Sequence, residues 1–123
     1  MGMFDNAVEK RIIKLIQRFT GVTVTPNFFA PCTTDISFNW DGWVVIDEKS
    51  IWLVNNDGVD GVEFSNLRMN PQTRLYAPGF RGYPSFKFDF VGGGDFSVYP
   101  KTLSAGEEML VILKSRMHPD REF

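Results

Sequence analysis

The first twenty residues carry an apolar stripe with helical spacing. Its members recur every three or four positions: Phe4, Val8, Ile12, Leu15, Ile16 and Phe19. This spacing predicts an amphipathic helix over residues 4–19 that ends at Gly21. A second face of the same helix carries four basic residues: Lys10, Arg11, Lys14 and Arg18. Such a helix either packs on a domain with its charged face in water or lies on an anionic membrane surface.

From about Gly21 to Pro100 the pattern changes, and apolar residues alternate with polar ones. Alternation of this kind is typical of strands with one buried face. Seven short strands are predicted, at residues 22–25, 36–40, 43–46, 51–54, 59–64, 86–90 and 96–99. Asp41-Gly42 predicts a two-residue hairpin turn, because both central positions of that turn need a positive φ. Residues 65–84 are rich in proline and glycine and are predicted to be mainly a long loop.

A second helix is predicted near the end of the chain. Ser104 and Glu107 have the S-x-x-E spacing of a capping box, in which both side chains satisfy backbone amides of the first turn. The residues that follow form one apolar stripe: Met109, Leu110, Leu113 and Met117. Pro119 then stops the helix.

The order of these elements resembles the pleckstrin-homology (PH) superfold, in which seven short antiparallel strands are closed by a C-terminal helix. Residues 42–54, Gly-Trp-Val-Val-Ile-Asp-Glu-Lys-Ser-Ile-Trp-Leu-Val, are similar to the GRAM and bacterial PH-like pattern of a Gly-led strand, a short turn and an aliphatic strand. Residues 62–67 are similar to the strand that follows. The resemblance covers about residues 36–117. It implies a mainly β (α+β) fold, a bent seven-stranded antiparallel barrel with a C-terminal capping helix.

The helix at residues 1–20 is then an addition in front of a single barrel domain at residues 21–123. The chain has 123 residues, which is a typical length for one domain. Its 13 basic and 15 acidic residues give a net charge of -2, which argues against a protein that coats nucleic acid.

Few residues are available for catalysis or metal binding. One Cys and one His cannot supply a disulfide or a Cys/His zinc site. A calcium site is conceivable at Asp57 and Asp60, but the EF-hand spacing fails, and polar turns explain these residues better. Gly92-Gly93-Gly94 is followed by Asp95 where a phosphate-binding loop needs Lys, so it predicts a hairpin turn. We therefore expect no metal, no cofactor and no enzymatic activity.

PH domains that bind phosphoinositides resemble one another in a basic cluster on the first hairpin. This chain has no Lys or Arg between Phe19 and Asp47. A phosphate needs several converging cationic donors, so the sequence does not favour an inositol-phosphate site on that hairpin.

Aromatic residues are the most unusual feature of the composition, at 15% of the chain. Strand alternation assigns most of them to the core. Two groups are left: Phe28 and Phe29, which lie between two prolines, and the loop residues Arg74, Tyr76, Phe80, Arg81 and Tyr83. Tyr, Phe and Arg are enriched at protein interfaces, so both groups are candidates for partner binding. The alternative is that these side chains fold back onto the barrel.

The sequence thus predicts a non-catalytic PH-like protein-interaction module. The resemblance to small bacterial PH-like proteins implies self-association as a homo-oligomer. The alternative hypothesis is a peripheral membrane or lipid-binding module that uses Lys10, Arg11, Lys14 and Arg18. The first residues lack the pattern of a secretory signal, and no apolar run is long enough to span a membrane, which predicts a cytoplasmic protein.

Overall fold

The computed structural model of the chain describes residues 3–34, 40–75 and 83–117. Within these ranges, two helices flank seven strands and one 3-10 turn. In chain order these are α1 (Met3–Thr20), β1 (Phe28–Thr34), β2 (Trp40–Ile46), β3 (Ser50–Asn55), β4 (Gly58–Glu63), the 3-10 turn (Phe64–Asn66), β5 (Leu67–Met69), β6 (Phe86–Phe90), β7 (Asp95–Pro100) and α2 (Leu103–Arg116).

The strands form one antiparallel sheet in the order β4-β3-β2-β1-β7-β6-β5. The sheet curls into a half-barrel in which β1 pairs with both β2 and β7. Strands β4 and β5 are the two edges, and the 3-10 turn connects them. The predicted fold class, a bent seven-stranded antiparallel barrel with a helix at each end of the chain, is confirmed.

Both faces of the sheet are covered, as the burial of alternate residues of β3 shows. Ile51 and Leu53 point into the barrel core, whereas Trp52 and Val54 belong to a second group on the outer face. Helix α1 packs there and forms an outer cluster of buried residues: Ile12, Ile16, Val24, Val45, Trp52 and Val54. A strand buried on both faces requires a continuous apolar run, which residues 51–54 supply.

Helix α2 closes one end of the barrel. Met109 and Leu113, with Met117 just beyond the helix, lie in the barrel core as their spacing predicted. Gly106 lets the helix approach the chain before β6, since a Cβ there would come within 2.7 Å of the Pro84 ring. In the last turn, Arg116 Nη2 donates to Asn27 Oδ1 at 2.8 Å, which ties α2 to the segment before β1.

The first predicted strand of the barrel needs correction. Residues 22–25 are not a strand, and β1 instead comprises residues 28–34, across Pro31. The carbonyl of Pro31 accepts from Lys101, just past the end of β7. In a β-strand the N–H and the C=O of one residue point to the same side. The N–H that Pro31 lacks would therefore point beyond the last residue of β7, so its absence removes no hydrogen bond to β7.

The prediction of a turn at Asp41-Gly42 is also wrong. Both residues lie inside β2, where Asp41 pairs with Thr33 and Gly42 with Cys32. The β1–β2 connection therefore falls at residues 35–39, which lie outside the described residues, as does most of the predicted strand 36–40. Pairing along all seven residues of β1 outweighs a two-residue turn signal.

The long loop at residues 65–84 contains a strand that the sequence did not indicate. Strand β5 pairs with β6 through Leu67 and Met69, both buried.

The prediction of a capping box at the start of α2 is wrong as well. Thr102, not Ser104, is the N-cap, and its hydroxyl accepts from the Ala105 amide at 3.1 Å.

Other predictions are confirmed. Helix α1 spans nearly the predicted residues and ends at Gly21, which has a φ of 76° and donates its amide to the Gln17 carbonyl. The β6–β7 turn contains Gly93 and Gly94, both with positive φ, as expected for a tight hairpin. The amides of Asp57 and Gly58 donate to Asn55 Oδ1, so Asp57 lies in a polar turn between β3 and β4 as predicted, whereas Asp60 lies within β4 and pairs with Leu53.

Candidate interaction surfaces

Phe28 and Phe29, the first aromatic pair, lie on opposite faces of β1. Phe28 is buried in the barrel core, with 6% of its surface exposed. Phe29 is half-buried and packs against the outer cluster. Both side chains therefore contribute to the packing of the domain, one on each face of the sheet.

Residues 74–83, which we call the aromatic segment, begin and end at a fixed base. Arg74 and Ser85 form an isolated antiparallel bridge, and each backbone amide donates to the carbonyl of the other at 2.7 Å. Just inside this bridge, Leu75 and Pro84 flank Gly106 of α2. The two ends of the segment are thus held together and against the C-terminal helix.

Within the aromatic segment the structure describes three residues. Arg74 is exposed, and its Nη1 donates to the carbonyl oxygens of Pro71 and Thr73 at 2.7 and 2.9 Å. Leu75 and Tyr83 are half-buried. Tyr76, Phe80 and Arg81 lie outside the described residues.

The four basic residues of α1 are all exposed, and none of them belongs to the outer cluster. Three of them, Lys10, Lys14 and Arg18, are spaced four residues apart, and we call them the basic strip. Over eight residues a helix rises about 12 Å, so the strip is a row of that length. None of the three forms an ion pair with another residue that the structure describes.

Arg11 differs from the basic strip because it is held by the barrel. Its guanidinium lies 5.7 Å from the centroid of the Trp43 ring and donates to Asn56 Oδ1 at 2.5 Å. Ring and amide together fix α1 over the β3–β4 turn, so Arg11 is a positioning residue of the fold.

The described residues include few side chains that could bind a metal ion or act as a nucleophile. In the described ranges, no group of three or more His, Cys, Asp or Glu side chains could hold a metal ion. The Cys32 thiol is fully buried in the barrel core. Burial raises the pKa of Cys32 from 9.0 to about 12, although nearby Lys101 acts in the opposite direction. The thiol is therefore protonated and unreactive near neutral pH.

Sequence reasoning missed an exposed face on α2. Val111 is 70% exposed, more than any other large apolar side chain in the described part of the chain. It does not belong to the buried stripe of Met109 and Leu113. Counting residues by three and four from that stripe would have placed Val111 on the opposite side of the helix.

No protein-family model matches the chain, and no curated protein matches it in sequence. Its fold, however, is similar to several solved structures. The C-terminal domain of an unknown protein from Leishmania infantum has a TM-score of 0.64 at 10% identity, over 89% of this chain and 96% of that one.

Two structures of larger proteins show the same similarity. Vav1 bound to an allosteric inhibitor has a TM-score of 0.57 at 12% identity, over 94% of this chain and 35% of that one. The linker-DH/PH domains of p115-RhoGEF give 0.57 at 8% identity, over 90% and 38%. Identities this low show the fold alone. The half-barrel with its capping helix is PH-like.

No helix in the described ranges is long and apolar enough to cross a membrane.

Proposed function

We propose that the chain is a non-catalytic protein-interaction module that associates with itself, with the aromatic segment as part of its contact surface. One observation supports the proposal most directly. The Arg74–Ser85 bridge and the packing of Leu75 and Pro84 at Gly106 anchor both ends of that segment to α2. An anchored segment loses less conformational entropy on binding than a free one, so more of its contact energy appears as affinity.

The composition of the segment supports the same function. Between its anchored ends it carries Tyr76, Phe80 and Arg81, residue types that dominate the energetics of protein interfaces. Phe28 and Phe29 are not part of the proposed surface, because they pack within the domain. The sequence resemblance to GRAM and bacterial PH-like proteins is consistent with a self-associating module, and a cytoplasmic location belongs to the same proposal.

Replacing Tyr76 and Phe80 together with serine should raise the dissociation constant of self-association at least tenfold, because truncating an aromatic anchor of an interface costs more than about 1 kcal/mol and about 1.4 kcal/mol corresponds to a factor of ten. Tyr83 is left intact because it is half-buried and its loss would also affect the fold. Light scattering coupled to size exclusion, over a wide range of loading concentration, gives the dissociation constant of each protein.

Phe19→Ser is the matched control, since Phe19 is an aromatic residue with 44% exposure on helix α1, which packs on the outer face of the sheet. It should associate like the wild type. If the double variant associates as tightly as the control, the aromatic segment is not the contact surface.

The basic strip favours a second candidate function, adsorption to an anionic membrane. A row of three exposed cations without described ion pairs matches a surface that presents many negative headgroups. Each basic residue near such a surface contributes about 1 kcal/mol, so the strip alone gives weak, salt-sensitive binding.

Vesicles of phosphatidylcholine with added phosphatidylserine test this function by co-sedimentation. The triple variant Lys10→Glu/Lys14→Glu/Arg18→Glu should lose binding, whereas Arg68→Glu on the exposed side of β5 should bind like the wild type. Equal sedimentation of wild type and triple variant would exclude the basic strip as a lipid-binding surface.

A further inference from the structure

The outer face of α2 is acidic toward its N-terminal end and basic toward its C-terminal end. It is therefore complementary in charge to the same face running in the opposite direction. Six exposed residues lie on this face: Ser104, Glu107, Glu108, Val111, Lys114 and Ser115. Each residue turns the helix by about 100°, so all six project within about 60° of Val111. The face thus has an apolar residue at its centre, two acids on the N-terminal side and one base on the C-terminal side.

We infer that this α2 outer face packs antiparallel against the same face of a second copy, about a two-fold axis at Val111. Such an axis brings Val111 of the two copies together. It places Lys114 of each copy opposite the turn that carries Glu107 and Glu108 of the other, because residues three positions on either side of the axis meet. A two-fold interface is the commonest arrangement of homo-oligomers.

The antiparallel direction is the one that the charges select. In a parallel pair in register, the acids of both copies would face each other, and so would the lysines, which is destabilising. The antiparallel pair instead gives two equivalent clusters of opposite charge, and it also aligns the helix dipoles favourably. Val111 at the axis would bury the most exposed large apolar side chain among the described residues.

The size of the face indicates that α2 is one part of the interface. A helix of 14 residues is about 21 Å long, and its outer face alone is smaller than the roughly 800 Å² per partner of a stable complex. The aromatic segment is anchored to α2 at Gly106 and can extend the contact. This inference rests on the self-association proposed above and assigns its symmetry and the orientation of the copies.

Two charge-reversed variants test the pairing. Lys114→Glu places only acids at each contact, and Glu107→Lys/Glu108→Lys places only bases there. Each variant alone should have a dissociation constant at least tenfold higher than the wild type at low salt, with a smaller difference at high salt. All three positions are exposed, and circular dichroism of each variant shows whether it is folded.

Mixing the two variants is the decisive measurement. In a mixed pair, Glu at position 114 of one copy faces Lys at 107 and 108 of the other, and the second contact keeps the native charges. Both contacts are then attractive, so sedimentation velocity of the equimolar mixture should show association close to that of the wild type. Lys49→Glu, the same charge reversal at an exposed position in the turn between β2 and β3, should leave the wild-type dissociation constant unchanged.

The possible outcomes separate this inference from the proposed function. If the wild type associates but both variants associate equally well, and their mixture no better, then α2 pairing is wrong while self-association stands. If the wild type is monomeric at every concentration, both are wrong. The antiparallel α2 contact is supported if each variant by itself associates weakly and the mixture associates like the wild type.

Discussion

Replacing Ile12 and Ile16 together with alanine should lower the free energy of unfolding by about 5 kcal/mol. Both side chains are fully buried between α1 and the outer face of the sheet. Truncating a buried isoleucine costs about 2–5 kcal/mol, and both sites lie in one buried cluster, so the costs do not simply add. Urea denaturation followed by tryptophan fluorescence measures the change, because Trp52 lies in the same outer cluster.

This variant tests whether α1 is an integral layer of the domain or an addition to a barrel at residues 21–123. Phe19→Ala is the control, because Phe19 lies on α1 but is 44% exposed. It should change the free energy of unfolding by less than about 1 kcal/mol. A double variant as stable as this control would show that the barrel does not need α1.

Gly61→Ala should destabilise the protein by about 3 kcal/mol, although alanine is ordinarily accepted in strands as readily as glycine. Gly61 pairs with Trp52 across β3 and β4, and the Trp52 ring lies directly over it on the outer face. A Cβ at position 61 would lie less than 3.0 Å from both Cε3 and Cζ3 of that ring, which is an overlap. Relieving the overlap must move Trp52, whose Nε1 donates to Asp47 Oδ2 at 3.0 Å.

Gly58→Ala in the same strand is the matched control, since a Cβ there meets nothing within 4 Å and the residue has no positive φ. Its free energy of unfolding should stay within about 0.5 kcal/mol of the wild type. In a Trp52→Leu background the cost of Gly61→Ala should fall, because the overlapping ring is gone. An undiminished cost in that double-mutant cycle would place its origin elsewhere.

Much of the fold could be predicted because it follows from local pattern. The helical spacing of α1, the two-sided apolar run of β3 and the buried stripe of α2 each identify an element without knowledge of its neighbours. The β1 strand could not be found in this way. Pro31 and the Phe28-Phe29 doublet indicate an irregular segment, and only the absence of a β7 partner at that point makes the proline acceptable.

For the candidate surfaces too, features set by local spacing could be predicted, and features set by segments distant in sequence could not. Sequence pattern identified the basic strip, because helical spacing alone exposes it. It could not assign Phe28 and Phe29, because the cover over Phe29 comes from α1, which is distant in sequence. Nor could it find Gly106 as the contact for Leu75 and Pro84, since an interior helical glycine carries no signal of what approaches it.

Self-association is the central claim, and the absolute mass of the protein in solution tests it most directly. Light scattering over a hundredfold range of concentration should show the mass rising from 14.0 kDa to a stable multiple of it. A mass of 14.0 kDa at every concentration would contradict both the self-associating module and the antiparallel α2 contact.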